Sequence, residues 1–178
     1  MTNLITTAEF ATFRNVSAKL DSGKIDEAIK LAQQSDLLEM LGEFLFDVLK
    51  NKDEANYSDL MNGSTFEYNG EEYQQAGIKS LLADYAHARY IYLKPVNDTA
   101  FGFKFKETQD GTSVDRNYLR DMQKQDQVDA GIKFKFINLY LCANPDLFPR
   151  YYTRSERDKY SQTSFNGNSF SSQRLSKL

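Results

Sequence analysis

Between residues 25 and 49 the apolar positions recur three and four apart: Ile25, Ala28, Ile29 and Ala32, then Leu37, Leu38, Leu41, Leu45, Val48 and Leu49. That spacing lays an apolar stripe along an α-helix and predicts helical structure across the segment. Ser35-Asp36 in the middle has N-cap chemistry, so the pattern fits either two helices at an angle or one long helix. Upstream, Thr6 and Glu9 have the spacing of a capping box just before Phe10 and Phe13, which predicts a short first helix beginning near Thr6. Ile78, Leu81, Leu82, Tyr85 and Ala86 repeat the helical spacing, and Arg89 continues that face. Ala83, Ala86 and Ala88 keep one side of this helix thin, and Pro95 ends it. The stretch from Ser113 to Asn144 predicts a long helix that is polar in its first half and apolar in its second. Val128, Ile132, Phe136 and Leu139 form one stripe there, with Phe134, Ile137 and Leu141 alongside, the pattern of the central helix of a bundle.

Between these helices the period changes. "YSDLMNGS" reads as one or two helical turns ended by Gly63, and "TFEYNGEEYQQAG" places Asn69-Gly70 between Phe66/Tyr68 and Tyr73, a β-hairpin signal. A lone hairpin is marginal in water, so it should lean on the helices or on a neighbouring molecule. "VNDTAFGFKFKETQDGTS", Val96 to Ser113, is a long loop with room for a short strand at Phe101 to Lys106, and loops of this length often carry function. From Ser155 onward the chain holds seven serines and little aliphatic content, so this part should not fold alone. The predicted fold is mainly α: a small bundle of about four to five helices with a small β-hairpin and an extended C-terminal arm. Residues 1–149 form the helical domain and 150–178 the arm.

Charge sharpens that division. Residues 150–178 hold six Lys/Arg against two Asp/Glu, a balance of +4, whereas residues 1–149 hold 16 against 23, a balance of −7. The body is acidic and the arm basic. No apolar run approaches the length of a membrane span, and the opening residues lack the charged and apolar regions of a secretory signal. One cysteine, Cys142, and one histidine, His87, cannot build an ordinary Cys/His zinc site within one chain. No metal or cofactor is predicted. Cys142 reads as a small core residue, and His87, set between alanines on a helix, as packing or surface. Asp121, Asp126 and Asp129 lie beside Arg116, Arg120 and Lys124, which reads as a solvated ion-pair face. Common nucleotide-binding and zinc-hydrolase motifs are absent, so a non-enzymatic role is expected. "FGFKFK" and "FKF" have the aromatic and basic alternation of single-stranded nucleic-acid surfaces, although the acidic body favours a strand or helix with Phe in and Lys out. A nucleic-acid-binding module using these segments and the basic tail is the alternative reading. "RYYTRSERDKY" supplies Tyr and Arg, residue types enriched at interface hot spots.

The order of these features resembles the head-to-tail connector, or adaptor, proteins of tailed bacteriophages, which form a ring beneath the portal. The resemblance runs from about Ile25 to Tyr152. It is carried by "IDEAIKLAQQSDLLEMLGEFLFDVLKN", "YSDLMNG", "GIKSLLADYAHARYI" with "TAFGFKFK", and "NLYLCANPDLFPRY". The Lys-, Asn- and Tyr-rich composition is similar to that of phages infecting Bacteroidales, the crAss-like group among them. The resemblance implies a virion protein, assembled in the host cytoplasm, whose copies form a ring, typically a dodecamer, at the portal-tail junction. Its implied partners are the portal protein, neighbouring copies and tail-side ring proteins. Genomic DNA would pass through the lumen without sequence-specific binding, and no membrane is involved. Carried over by position, Arg150, Tyr151, Tyr152, Arg154, Arg157 and Tyr160 in the arm would contact the portal or a neighbouring subunit. Phe101, Phe103, Lys104, Phe105 and Lys106 in the long loop would face the ring interface or the lumen. The hairpin at Asn69-Gly70 and the extended tail depart from the shortest members of that family.

Overall fold

Thr6 and Glu9 do form a capping box in the computed structural model, whose described residues are 2–14, 21–93, 96–99, 102–105, 115–153 and 156. Helix α1 spans Thr7–Phe13; the Glu9 N–H donates to Thr6 Oγ1 at 3.2 Å, and the Thr6 N–H donates to Glu9 Oε2 at 2.8 Å. Lys79 Nζ sits 3.0 Å from the other carboxylate oxygen. The Thr6 N–H, and after it Lys79, hold the Glu9 carboxyl below its ordinary value of 4.5. A lowered folded value means the stabilisation is present above about pH 4.5 and is lost as pH falls through the folded value. Two variants test this by urea unfolding between about pH 7 and pH 3. Thr6→Ala should lose about 1 kcal/mol at neutral pH, and Glu9→Gln should flatten the acid limb of the stability curve.

Helix α2, Ser22–Ala32, is capped by the Asp21 side chain and runs through a π-helical turn at Gln33–Leu37 into α3, Leu38–Leu41, with right-handed helical backbone at each junction. The break falls at Gly42, where φ is +60°. The segment is therefore not one long helix: it runs unbroken through Ser35-Asp36 and divides at Gly42 instead, and Asp36 is no cap. Its carboxylate instead accepts from Arg89 Nε at 2.7 Å and Nη2 at 2.9 Å. The π turn also buries Gln33, whose Oε1 accepts from the Leu4 N–H at 2.8 Å and whose Nε2 donates to the Thr2 carbonyl at 3.0 Å. A buried amide needs such partners, and here they tie down the chain before α1. The extra residue of a π turn rotates the rest of the helix by roughly 100°. That rotation carries Leu37 and Leu41 onto the buried face of α2, while Leu38, expected on the buried stripe, is 39% exposed.

Helices α4, Phe44–Asn51, and α5, Ala55–Asn62, come next, and Gly63 ends α5 as predicted. Strands β1, Ser64–Tyr68, and β2, Glu71–Gln75, pair antiparallel with Phe66 opposite Tyr73. Asn69 and Gly70 both take positive φ, 54° and 81°, the requirement of the tight turn that matches strand twist. The buried Gln75 amide clamps the hairpin base: Nε2 donates to the Asp59 carbonyl and Ser64 Oγ, and Oε1 accepts from the Gly77 N–H. At Gly77, with φ +84°, an added Cβ would lie 2.6 Å from Gly63 N and the Met61 carbonyl oxygen, so a side chain there would push the two segments apart.

The central helix is α6, Ile78–Leu93, not the long final helix. Its residues Leu81 to Ala86 are all buried, together with Ile78, Ala88, Tyr90 and Ile91. Helix α6 turns Ser80, Asp84 and His87 toward α7, Arg116–Ala143. Half a turn round, Arg89 meets the π turn at the end of α2. Thus α6 lies between α2 and α7, and alternation of alanine with large residues lets it be covered on both sides. Helix α7 buries Ala130, Ile137, Tyr140 and Leu141. Val128, Ile132 and Phe136, expected in the core, are 55%, 48% and 39% exposed; they lie round the helix from the face that α6 occupies, so one side of an all-round apolar helix is left uncovered. Phe148 is buried beneath the turn after α7. Where one strand was expected near Phe101, two form: β3, Val96–Thr99, pairs antiparallel with β4, Gly102–Phe105. The fold is mainly α, as predicted, with the expected small hairpin at β1 and β2 and a second antiparallel pair at β3 and β4. No helix among the described residues is long and apolar enough to cross a membrane.

Candidate functional site

Two features stand out where α1, α6 and α7 meet. The first is a buried ion cluster. Asp84, 1% exposed, receives Arg14 Nη2 at 2.7 Å on Oδ1, while Arg14 Nη1 reaches Asp126 Oδ1 at 3.1 Å. Asp126 Oδ2 lies 2.7 Å from His87 Nδ1. Lys133 Nζ donates to Ser80 Oγ at 2.8 Å and meets Asp84 Oδ2, also at 2.8 Å, as a charge, leaving that oxygen without a hydrogen bond of its own. Two cations thus face two carboxylates, which removes the main penalty of burying any one of them. The arrangement places Asp126, read from sequence as part of a solvated face, in the interior at 6% exposure.

The His87–Asp126 pair has the form of an imidazole oriented by a carboxylate, but Asp126 is shared with Arg14, and Phe10 lies 6.3 Å from the imidazole ring. Among the described residues no group of three or more His, Cys, Asp or Glu could hold a metal ion. Cys142, expected in the core, is exposed; partial desolvation, with Glu156 nearby, pushes its thiol up, away from the reactive thiolate.

The second feature is the surface beside the cluster. A shallow cleft of about 330 Å³ is lined by Phe13, Arg14, Asp84, Asp129, Ile132 and Lys133. Phe13, 39% exposed, and Ile132, 48% exposed, give the cleft an apolar edge, and Ile132 belongs to the exposed stripe of α7. A hollow of about 390 Å³ on the hairpin, lined by Thr65, Phe66, Glu67, Gly70 and Glu72, contains none of the cluster's residues.

The arm residues divide. Arg150 Nη1 lies 3.2 Å from Asp47 Oδ1, and Tyr151 packs edge-on against Phe44 at 5.2 Å between ring centres while its hydroxyl donates to Asn138 Oδ1. Tyr152 is 46% exposed. Arg150 and Tyr151 are therefore joined to α4 and α7 as part of the body. Arg154, Arg157 and Tyr160 lie outside the described residues, as do Phe101 and Lys106. Phe103, Lys104 and Phe105 belong to β4, opposite Asp98, Asn97 and Val96 of β3.

The sequence reading missed Arg14, Asp84 and Lys133. Asp84 carried a usable signal: it is a carboxylate among Leu81, Leu82, Ala83, Tyr85 and Ala86, and a charge on a helix buried all round requires a cationic partner.

No curated protein and no solved structure matches this chain. Residues 37–161, from the end of the π turn past the last helix, match DUF6712, a family of unknown function, and the chain belongs to that family.

Proposed function

We propose that this protein is a non-enzymatic structural subunit of the ring that joins portal to tail in a tailed bacteriophage and lets DNA pass. The observation that carries this reading is the exposed Val128, Ile132, Phe136 stripe on the longest helix. Apolar side chains in a row on a rigid helix fit a face made to be covered. The order of helices, hairpin and arm, which resembles that of adaptor proteins, supplies the kind of assembly. The acidic body suits a conduit, since a negative wall repels DNA phosphates and lets the duplex slide.

The test is electron microscopy of the protein mixed with the portal protein of the same phage, using the full chain and a version ending at Thr153. That cut spares Tyr151, which the body needs. The full chain should form a ring on the portal, and the shortened chain should dock poorly. Ile132→Glu should change unfolding free energy by no more than about 0.5 kcal/mol, because the side chain is half exposed, yet prevent ring formation. Absence of any association by the full chain would overturn the proposal. Binding to single-stranded nucleic acid that falls steeply with salt would replace it with the alternative reading.

A further inference from the structure

We infer that the outward face of α7 packs against the outward face of α2 and α3 of the next copy, so that subunits join head to tail. The inference rests on the ring proposal and names the two surfaces that would build the ring. Helix α6 separates α2 from α7 and presents opposite sides to the two regions, Asp84 and His87 toward α7 and Arg89 toward the π turn. Buried Ile25, Ala28, Ile29 and Ala32 turn α2 inward, which leaves Glu27, Lys30 and Gln34 outward and exposed. The two outward faces therefore point away from each other across α6. Contact between different faces on opposite sides of a subunit is heterologous, the geometry that makes a ring when the rotation from copy to copy closes.

Charge selects this pairing over two copies joining α7 to α7. The exposed charges of α7 are Arg116, Arg120, Lys124 and Lys135 against Asp121, and a symmetric contact would bring like charges together. On the outward side of α2 and α3 the exposed charges are Glu27 and Glu39 against Lys30, with Asp21 and Glu43 at the two ends and Asp26 turned toward Thr7 of α1. A basic rim thus meets an acidic one. At the centre, Val128, Ile132 and Phe136 of one copy would cover Leu38 of the next, which is 39% exposed.

Two charge-reversed full-length proteins test the pairing: Lys124→Glu with Lys135→Glu, and Glu27→Lys with Glu39→Lys. Each, tested alone, should assemble at least about a hundredfold more weakly than the unmodified chain, on the portal and in solution by light scattering, with an unchanged melting temperature. Mixed in equal amounts they should assemble again, since each mismatched face then finds its complement on the other variant. If the unmodified chain forms rings but the reversed variants do so equally well, or the mixture fails to recover, the pairing is wrong and the ring proposal stands. If the unmodified chain forms no ring, both fall.

Discussion

Replacing Asp84 by alanine should remove about 3 kcal/mol or more of unfolding free energy, because it strips the shared partner from two cations at once. Arg14 Nη2 at 2.7 Å and Lys133 Nζ at 2.8 Å would face the space left behind, and only Arg14 has a second carboxylate, Asp126, to turn to. Desolvation makes the loss large: the Asp84 side chain is 2% exposed and that of Arg14 is 21%. Lys133→Met should cost less, under about 1 kcal/mol, since that side chain is about a third exposed and can be replaced along its stem. Urea unfolding, with the slope checked for two-state behaviour, measures both. A loss below about 1 kcal/mol for Asp84→Ala would mean that water reaches the cluster and screens it. The double variant Asp84→Ala with Arg14→Ala should cost less than the sum of the single changes, because the second removes the charge that the first left unpaired.

Phe148→Ala should be as damaging, at about 3–5 kcal/mol, the range for deleting a large aromatic from a core that cannot collapse around the gap. The ring is 1% exposed and meets Phe44, Tyr57 and Tyr140 with centres 6.0, 5.4 and 5.8 Å away. The contacts with Phe44 and Tyr57 are edge-on, which adds to simple burial. The consequence reaches beyond stability. Phe44 also carries Tyr151, so the cavity would loosen the root from which the arm departs. Chemical denaturation should show the loss, and limited proteolysis should show faster cutting after Arg150. Phe148→Leu, which keeps much of the volume, should recover most of the stability. Equal sensitivity of both variants would point to a specific aromatic requirement in place of a filled volume.

Both residues show where sequence reasoning reaches and where it stops. Phe148 sits between Pro145 and Pro149 after a long helix, and local pattern does not say which loop aromatic folds back onto the core. Asp126 was placed on the solvated half of α7 by its charged neighbours, yet Arg14, more than 100 residues away in sequence, draws it inward. The stripe on α7 failed in the opposite direction. Val128, Ile132 and Phe136 have the spacing of a core face, and spacing alone cannot tell a face covered by the same chain from one left for another.

Local rules settled what local physics governs. Thr6 with Glu9, Asn69-Gly70 and Gly63 each met a backbone demand set within a few residues, and the structure has the capping box, the turn and the helix end at those positions. The helical character of residues 22–41, 44–51, 78–93 and 116–143 came from periodicity in the same way. The tertiary structure alone decided which helix is central, whether Asp36 caps a helix or holds Arg89, and which side of α7 stays open. Each of those depends on a partner far along the chain, and the free energy of burying a face or pairing a charge exists only once that partner has arrived.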